Sequence, residues 1–173
     1  MQLSTDTQKH MNQYETVERR NLAYFIEAIK RKHDVVDYRI TRNNEKTRYD
    51  AWMILRRPNG RHEKIMLEAK IRKGYSTDSF ENTVLTKTKY WGLRMCHKQL
   101  TCDKTWHLAF YQDGLFIYDL TPEILDEKEL VEVVINTKAV HSDHSGKQRP
   151  EPKFQMLHLG PESKIIKGFP IQN

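Results

Sequence analysis

Residues 49–72 read YDAWMILRRPNGRHEKIMLEAKIR, and the pattern of this stretch decides the fold. Two runs suited to strands, 49–56 and 63–72, flank Pro58-Asn59-Gly60. Proline fixes φ for the first turn position, asparagine tolerates the second, and glycine takes the left-handed position that a three-residue loop with a bulge requires. Arg57 then faces Arg61. Counting outward in antiparallel register pairs Met53 with Ile65, Ala51 with Leu67 and Asp50 with Glu68. Because side chains alternate across a sheet, Ala51, Met53, Leu55, Ile65, Leu67, Ala69 and Ile71 fall on one apolar side. Asp50, Glu68, Lys70 and Arg72 share the other side with Trp52, Ile54 and Met66. A two-residue loop would break this agreement.

Directly opposed residues in such a pair hold their Cβ atoms about 4.5 to 5.5 Å apart. Ionised Asp50 and Glu68 would repel at that range unless a cation or a proton sits between them. Hard oxygen ligands suit Mg2+ or Mn2+. Lys70, one pleat repeat beyond Glu68, reaches the same volume and can orient or deprotonate a water, the more easily if burial lowers its pKa. A metal with an attacking water is phosphodiester chemistry. The rival reading is a solvated strand face on which Lys70 merely neutralises two acids. Trp52, Ile54 and Met66 on the same side argue for a covered face, and covered carboxylates require partners.

Asp50 with Glu68-Ala69-Lys70, on adjacent strands after an N-terminal helix and before a second helix, resembles the PD-(D/E)XK nuclease superfamily. That group includes restriction endonucleases, Holliday-junction resolvases and RecB-like nucleases. The resemblance spans residues 13 to about 120. It implies an α/β fold with a restriction-endonuclease-like core, a mixed central sheet flanked by helices in the order αβββαβ, to which this chain adds C-terminal strands. It also implies Mg2+ held by Asp50, Glu68 and the backbone carbonyl of Ala69, with Lys70 as the catalytic lysine and Mn2+ able to substitute. Many members place a metal-associated glutamate on the first helix. Glu18, bordering the buried stripe four before Leu22, is the candidate here, and an ordinary surface ion pair is its rival role. Two positions depart from the family patterns. Tyr49 stands where the name-giving proline would be, and Thr86 stands four before Tyr90, where RecB-like nucleases carry Gln-x-x-x-Tyr.

Periodicity organises the remainder. A first helix is expected over 13–31, with Val17, Leu22, Phe25, Ile26 and Ile29 on its buried stripe and Asn12 and Glu15 spaced as cap and third residue. A strand follows at 35–41, then a polar loop at 42–48. After a connection at 73–78, a second helix is expected over 79–97, capped by Asp78 or Ser79, with Phe80, Val84, Trp91 and Met95 toward the core. Another side carries Lys87, Tyr90, Arg94 and Lys98, a stripe suited to a phosphate backbone and one stacked base, or else a solvated basic face. Strands at 106–111 and 115–120 around Asp113-Gly114 form a second hairpin that extends the sheet. A helical turn at 122–129 and a strand at 130–135 precede a mobile loop at 136–152. That loop holds His141 and His144, two imidazoles without further ligands. A last strand at 154–159 leads to a tail at 160–173.

A chain of 173 residues fits a single domain over 1–173. Its 38% hydrophobic and 10% aromatic content argues for a folded protein. The balance of 29 basic against 23 acidic residues favours a polyanionic partner, with DNA ahead of RNA. No run has the length of a membrane span and residues 1–13 lack the apolar core of a signal peptide, so the expectation is a cytoplasmic or otherwise intracellular protein with no membrane partner. Cys96 and Cys102 are expected as reduced thiols. These readings converge on a Mg2+-dependent nuclease acting on DNA, an endonuclease or junction resolvase before an exonuclease. Cutting both strands of a duplex would call for a homodimer. Arg72, Lys73, Lys87, Tyr90 and Arg94 are the expected nucleic-acid contacts. The alternative is a non-catalytic nucleic-acid-binding or protein-interaction module on the same fold.

Overall fold

The computed structural model describes residues 16–42, 44–79, 82–122, 131–135, 151–157, 163–169 and 171–172. Helix α1 (Val17–Lys30) starts where the Thr16 hydroxyl accepts the Arg19 N–H at 3.3 Å, later than the residue-13 start that the periodicity suggests. Asn12 and Glu15, the expected cap pair, lie outside the described residues. Strands β1 (Asp34–Ile40), β2 (Ala51–Arg56) and β3 (His62–Ile71) follow as an antiparallel meander. Met53 opposes Ile65 and Ala51 opposes Leu67, the register that the turn dictates. The Arg57 N–H donates to the Arg61 carbonyl at 2.8 Å, and Gly60 takes a φ of +80° that only glycine adopts without strain. The apolar side of this hairpin, from Ala51 to Ile71, packs as one cluster with Leu22, Phe25 and Ile26 of α1.

The chain then departs from the expected single helix over 79–97. Residues 82–86 form strand β4 (Asn82–Thr86), and helix α2 (Lys87–Gln99) begins only after Thr86, whose hydroxyl accepts the Lys89 N–H at 3.2 Å. Thr86 therefore replaces Asp78 and Ser79 as the cap. Asn-Thr-Val-Leu-Thr is poor helix material with three β-branched residues, and a tertiary strand partner claims it. The later start resets the buried side of the helix. Tyr90, Leu93 and His97 face inward, whereas Trp91 and Met95, expected in the core, are 44% and 58% exposed. Val84 lies on β4, and Phe80 lies outside the described residues.

Strand β5 (Lys104–Tyr111) runs parallel to β3, so β4 and α2 form the crossover between them. β6 (Gly114–Asp119) turns back antiparallel to β5. β7 (Val131–Ile135) and β8 (Glu151–Leu157) pair antiparallel, and β8 also pairs with β4, giving a second sheet in the order β4-β8-β7. Residues 123–130 and 136–150, covering most of the expected helical turn and mobile loop and both His141 and His144, lie outside the described residues. Part of the expected tail is instead strand β9 (Ser163–Lys167), the edge of a six-stranded mixed sheet in the order β1-β2-β3-β5-β6-β9. Phe169 beyond it meets Tyr24 edge-on at 4.9 Å, and the Asn21 amide exchanges hydrogen bonds of 2.9 and 3.0 Å with the Gln172 backbone. Gly-Pro punctuation concealed this short strand, whose Ile166 packs with the α1-side core. Helices α1 and α2 cover opposite sides of the large sheet: α1 the odd-numbered side of β3, α2 the side of Met66. Among the described residues no helix is long and apolar enough to cross a membrane.

Candidate metal centre

Asp50 sits just before β2, held from both sides. Its carbonyl accepts the Thr41 N–H at 2.9 Å, and its own N–H donates to the Leu67 carbonyl at 3.0 Å. Its Oδ2 accepts the Ala69 N–H at 2.9 Å, which turns the carboxylate toward β3. Glu68 is only 7% exposed. One carboxylate oxygen, Oε1, lies 2.8 Å from Lys89 Nζ, whereas Oε2 is buried without a hydrogen-bond partner among the described residues. Burial pushes the Glu68 carboxyl well above the usual carboxylate range, and the Asp50 charge pushes further; the Lys89 ammonium offsets part of both. Asp50 therefore lies close enough to Glu68 for its charge to act on it.

Two residues at this site were missed by the sequence reading. Lys89, in the first turn of α2, reaches down to Glu68; starting the helix at Ser79 hid its first-turn position, which the Thr86 cap fixes. His107 on β5 stands directly beside Glu68 in the parallel register and is 1% exposed, with neither ring nitrogen partnered among the described residues. Burial first, and then the positive charges of Arg72, Lys89 and Lys70, lower its pKa to about 3. The signal was available, because Trp106, Leu108 and Phe110 claim the α1 side and alternation leaves His107 on the side of Glu68.

The other expected residues divide. Lys70 lies on the Glu68 side and its charge reaches His107, but it is exposed rather than buried. Ala69 is 5% exposed, with its side chain in the α1-side cluster and its N–H on Asp50 Oδ2. Glu18 is half-exposed in the first turn of α1 and joins no cluster of three or more His, Cys, Asp or Glu side chains; no such cluster occurs among the described residues. Arg72 is tied down, its N–H donating to the Phe110 carbonyl at 2.8 Å and its guanidinium to the Val84 carbonyl at 3.3 Å. Lys73 is exposed and Lys87 half-buried. Tyr90 is corrected outright: at 1% exposure it belongs to the core and offers no ring to a base. Its hydroxyl accepts from Arg94 at 3.1 Å, and the Arg94 guanidinium carbon lies 5.8 and 5.6 Å from the Tyr90 and Trp91 ring centres.

The donor set suits a hard divalent cation. Mg2+ is commonly bound by one or two carboxylates, with waters and substrate oxygens completing its shell, and Asp50 and Glu68 supply two carboxylates, one with an unpartnered buried oxygen. No family model, curated protein or solved structure matches the chain.

Proposed function

We propose that this protein is a divalent-metal-dependent nuclease acting on DNA. The observation that carries the reading is Glu68: a buried carboxyl beside a second acid, with one oxygen left unpartnered. Buried polar atoms are normally satisfied, and a carboxyl this close to Asp50 calls for a shared proton or a cation; the proposal takes the cation. Asp50 and Glu68, with the Ala69 carbonyl, would hold the metal. Bound there, a divalent cation supplies charge stabilisation at the scissile phosphate and acidifies a water. Lys70, an exposed amine two residues beyond Glu68 on β3, would orient that water. Arg72, Lys73 and Lys87 carry positive charge around the site for backbone phosphates, and Arg94 contributes from behind Tyr90. The element order α1-β1-β2-β3-β4-α2-β5, with β3 parallel to β5, departs from the αβββαβ order of a restriction-endonuclease-like core by the inserted β4 and otherwise agrees with the same reading.

The test is cleavage of labelled plasmid, single-stranded and four-way-junction DNA under Mg2+ and Mn2+ titration. Asp50→Ala and Lys70→Ala should each lower the rate by about a hundredfold or more, the order seen when one transition-state contact is removed. Metal-dependent cleavage that survives both substitutions would sink the proposal. A second reading, a binding module that does not cut, draws on the Lys89–Glu68 ion pair, which already neutralises one acid. It predicts salt-dependent DNA binding with no product under any metal.

A further inference from the structure

We propose that Lys89 couples metal binding to phosphate binding: it neutralises Glu68 while no divalent cation is bound, and once displaced it takes a phosphate oxygen of the nucleic acid. This rests on the metal site proposed at Asp50 and Glu68. The Lys89 amine lies 2.8 Å from Glu68 Oε1, and its side chain is 29% exposed against 9% for Glu68, so the lysine has a path to solvent that the carboxylate lacks. Lysine is a compact charge on a flexible stem, suited to such a move.

The charge balance gives the move its consequence. Lys70, Arg72 and Lys89 all act on His107, while the acids at this spot are Glu68 and Asp50. With the two acids charged, these five groups carry one surplus positive charge. A divalent cation on the carboxylates would raise the surplus to three, and like charges at short range demand an anion. Lys89 also lies in the first turn of α2, which contains no acidic residue, so the positive end of the helix favours the same anion. Arg72 is held by the Val84 carbonyl and stays near β4. Lys89, bound through Glu68, is the cation that metal binding would set free.

The experiment uses the full chain, Ca2+ as the probe metal because it takes the same carboxylate oxygens, and a fluorescein-labelled DNA duplex. Calorimetry should show Lys89→Met binding Ca2+ about tenfold more tightly than the parent, within the usual range of site-to-site coupling. Ca2+ should tighten duplex binding by the parent about tenfold, and by Lys89→Met less than about twofold. Lys89→Arg, which keeps the charge, should retain the coupling. On the parent protein, acylation of the Lys89 amine, followed by peptide mass spectrometry, should accelerate when Ca2+ is added; this readout needs no variant to fold. Unchanged or weaker Ca2+ binding by Lys89→Met, equal duplex tightening in both proteins, or acylation indifferent to Ca2+ each overturns the coupling. If Asp50→Ala still binds Ca2+ like the parent, or the parent binds none, the metal site falls and the coupling with it. Asp50-dependent Ca2+ binding with an indifferent Lys89 would overturn the coupling alone.

Discussion

On the α1 side of the large sheet, β2 and β3 present an unbroken set of apolar side chains from Ala51 to Ile71, closed by Leu22, Phe25 and Ile26. On the α2 side the same strands present Met66 and then Glu68 and Lys70, with His107 alongside on β5. Tyr90, Leu93, Phe116 and Leu120 fill the apolar part of that side. Its charged part instead leaves a carboxylate oxygen and two ring nitrogens buried without partners among the described residues. Each such group costs roughly 1–3 kcal/mol relative to a satisfied one. The α1 side therefore stabilises the fold, and the α2 side gives up part of that stability to keep unpartnered polar atoms beside a packed core.

The largest effect that follows is on the apolar side. Phe25 is 1% exposed, and Phe25→Ala should lower the unfolding free energy by about 3–5 kcal/mol, the usual cost of removing a buried aromatic ring. Denaturant unfolding measures it. A loss below about 1 kcal/mol would show that this face collapses around the cavity or anchors less than its packing indicates.

The second prediction concerns His107 and acid. Its ordinary value of 6.5 is depressed to about 3 in the folded protein, so the unfolded chain takes a proton that the folded chain refuses. This contribution to stability is present above pH 6.5 and is lost as pH falls toward about 3. The loss should be on the order of a few kcal/mol. Glu68 acts in the opposite sense: its raised carboxyl contributes stability that is present below its ordinary value of 4.5 and lost as pH rises. His107→Phe should abolish the acid-side loss attributable to the imidazole. At pH 7 it should leave stability unchanged or raised by up to about 2 kcal/mol, because two unpartnered nitrogens disappear. Thermal melts across the pH range decide. An unaltered acid profile would mean that His107 is satisfied and solvated in solution, and the contrast between the two faces would narrow.

How much of this was legible in the sequence follows from how local each signal is. The 49–72 hairpin carries its own proof, since turn type, register and alternation are set by neighbours in the chain, and Pro58, Asn59 and Gly60 leave one register that keeps Ala51 and Leu67 on the same side. The Ala51–Leu67 register, next to which Asp50 and Glu68 stand, was readable for that reason. Residues 79–99 carry weaker local information. Asn82 to Thr86 pair with β8, a strand far along the chain, and no local pattern announces that partner. The expected helix consequently began too early, which put Trp91 and Met95 inside, brought Tyr90 out to meet a base, and passed over Lys89. The 160–173 tail failed in the same way, because Ile165 and Ile166 form too short a run to indicate a strand until β6 offers an edge.

The smallest predicted effect tests this shift in helix phase. Met95→Gln exchanges an exposed thioether, 58% accessible, for a polar side chain of similar length and good helix propensity, so stability should change by no more than about 0.5 kcal/mol. Trp91 is a less clean probe, because its ring meets Tyr90 edge-on at 5.3 Å and lies near the Arg94 guanidinium. Had the helix begun at Ser79 with Met95 toward the core, burying an amide there would cost several kcal/mol more. A near-silent Met95→Gln therefore fixes the rotation of α2, and with it the placement of Lys89 over Glu68. A large loss would mean a rotated helix with Lys89 off the carboxylate and two faces of the sheet less unlike in composition.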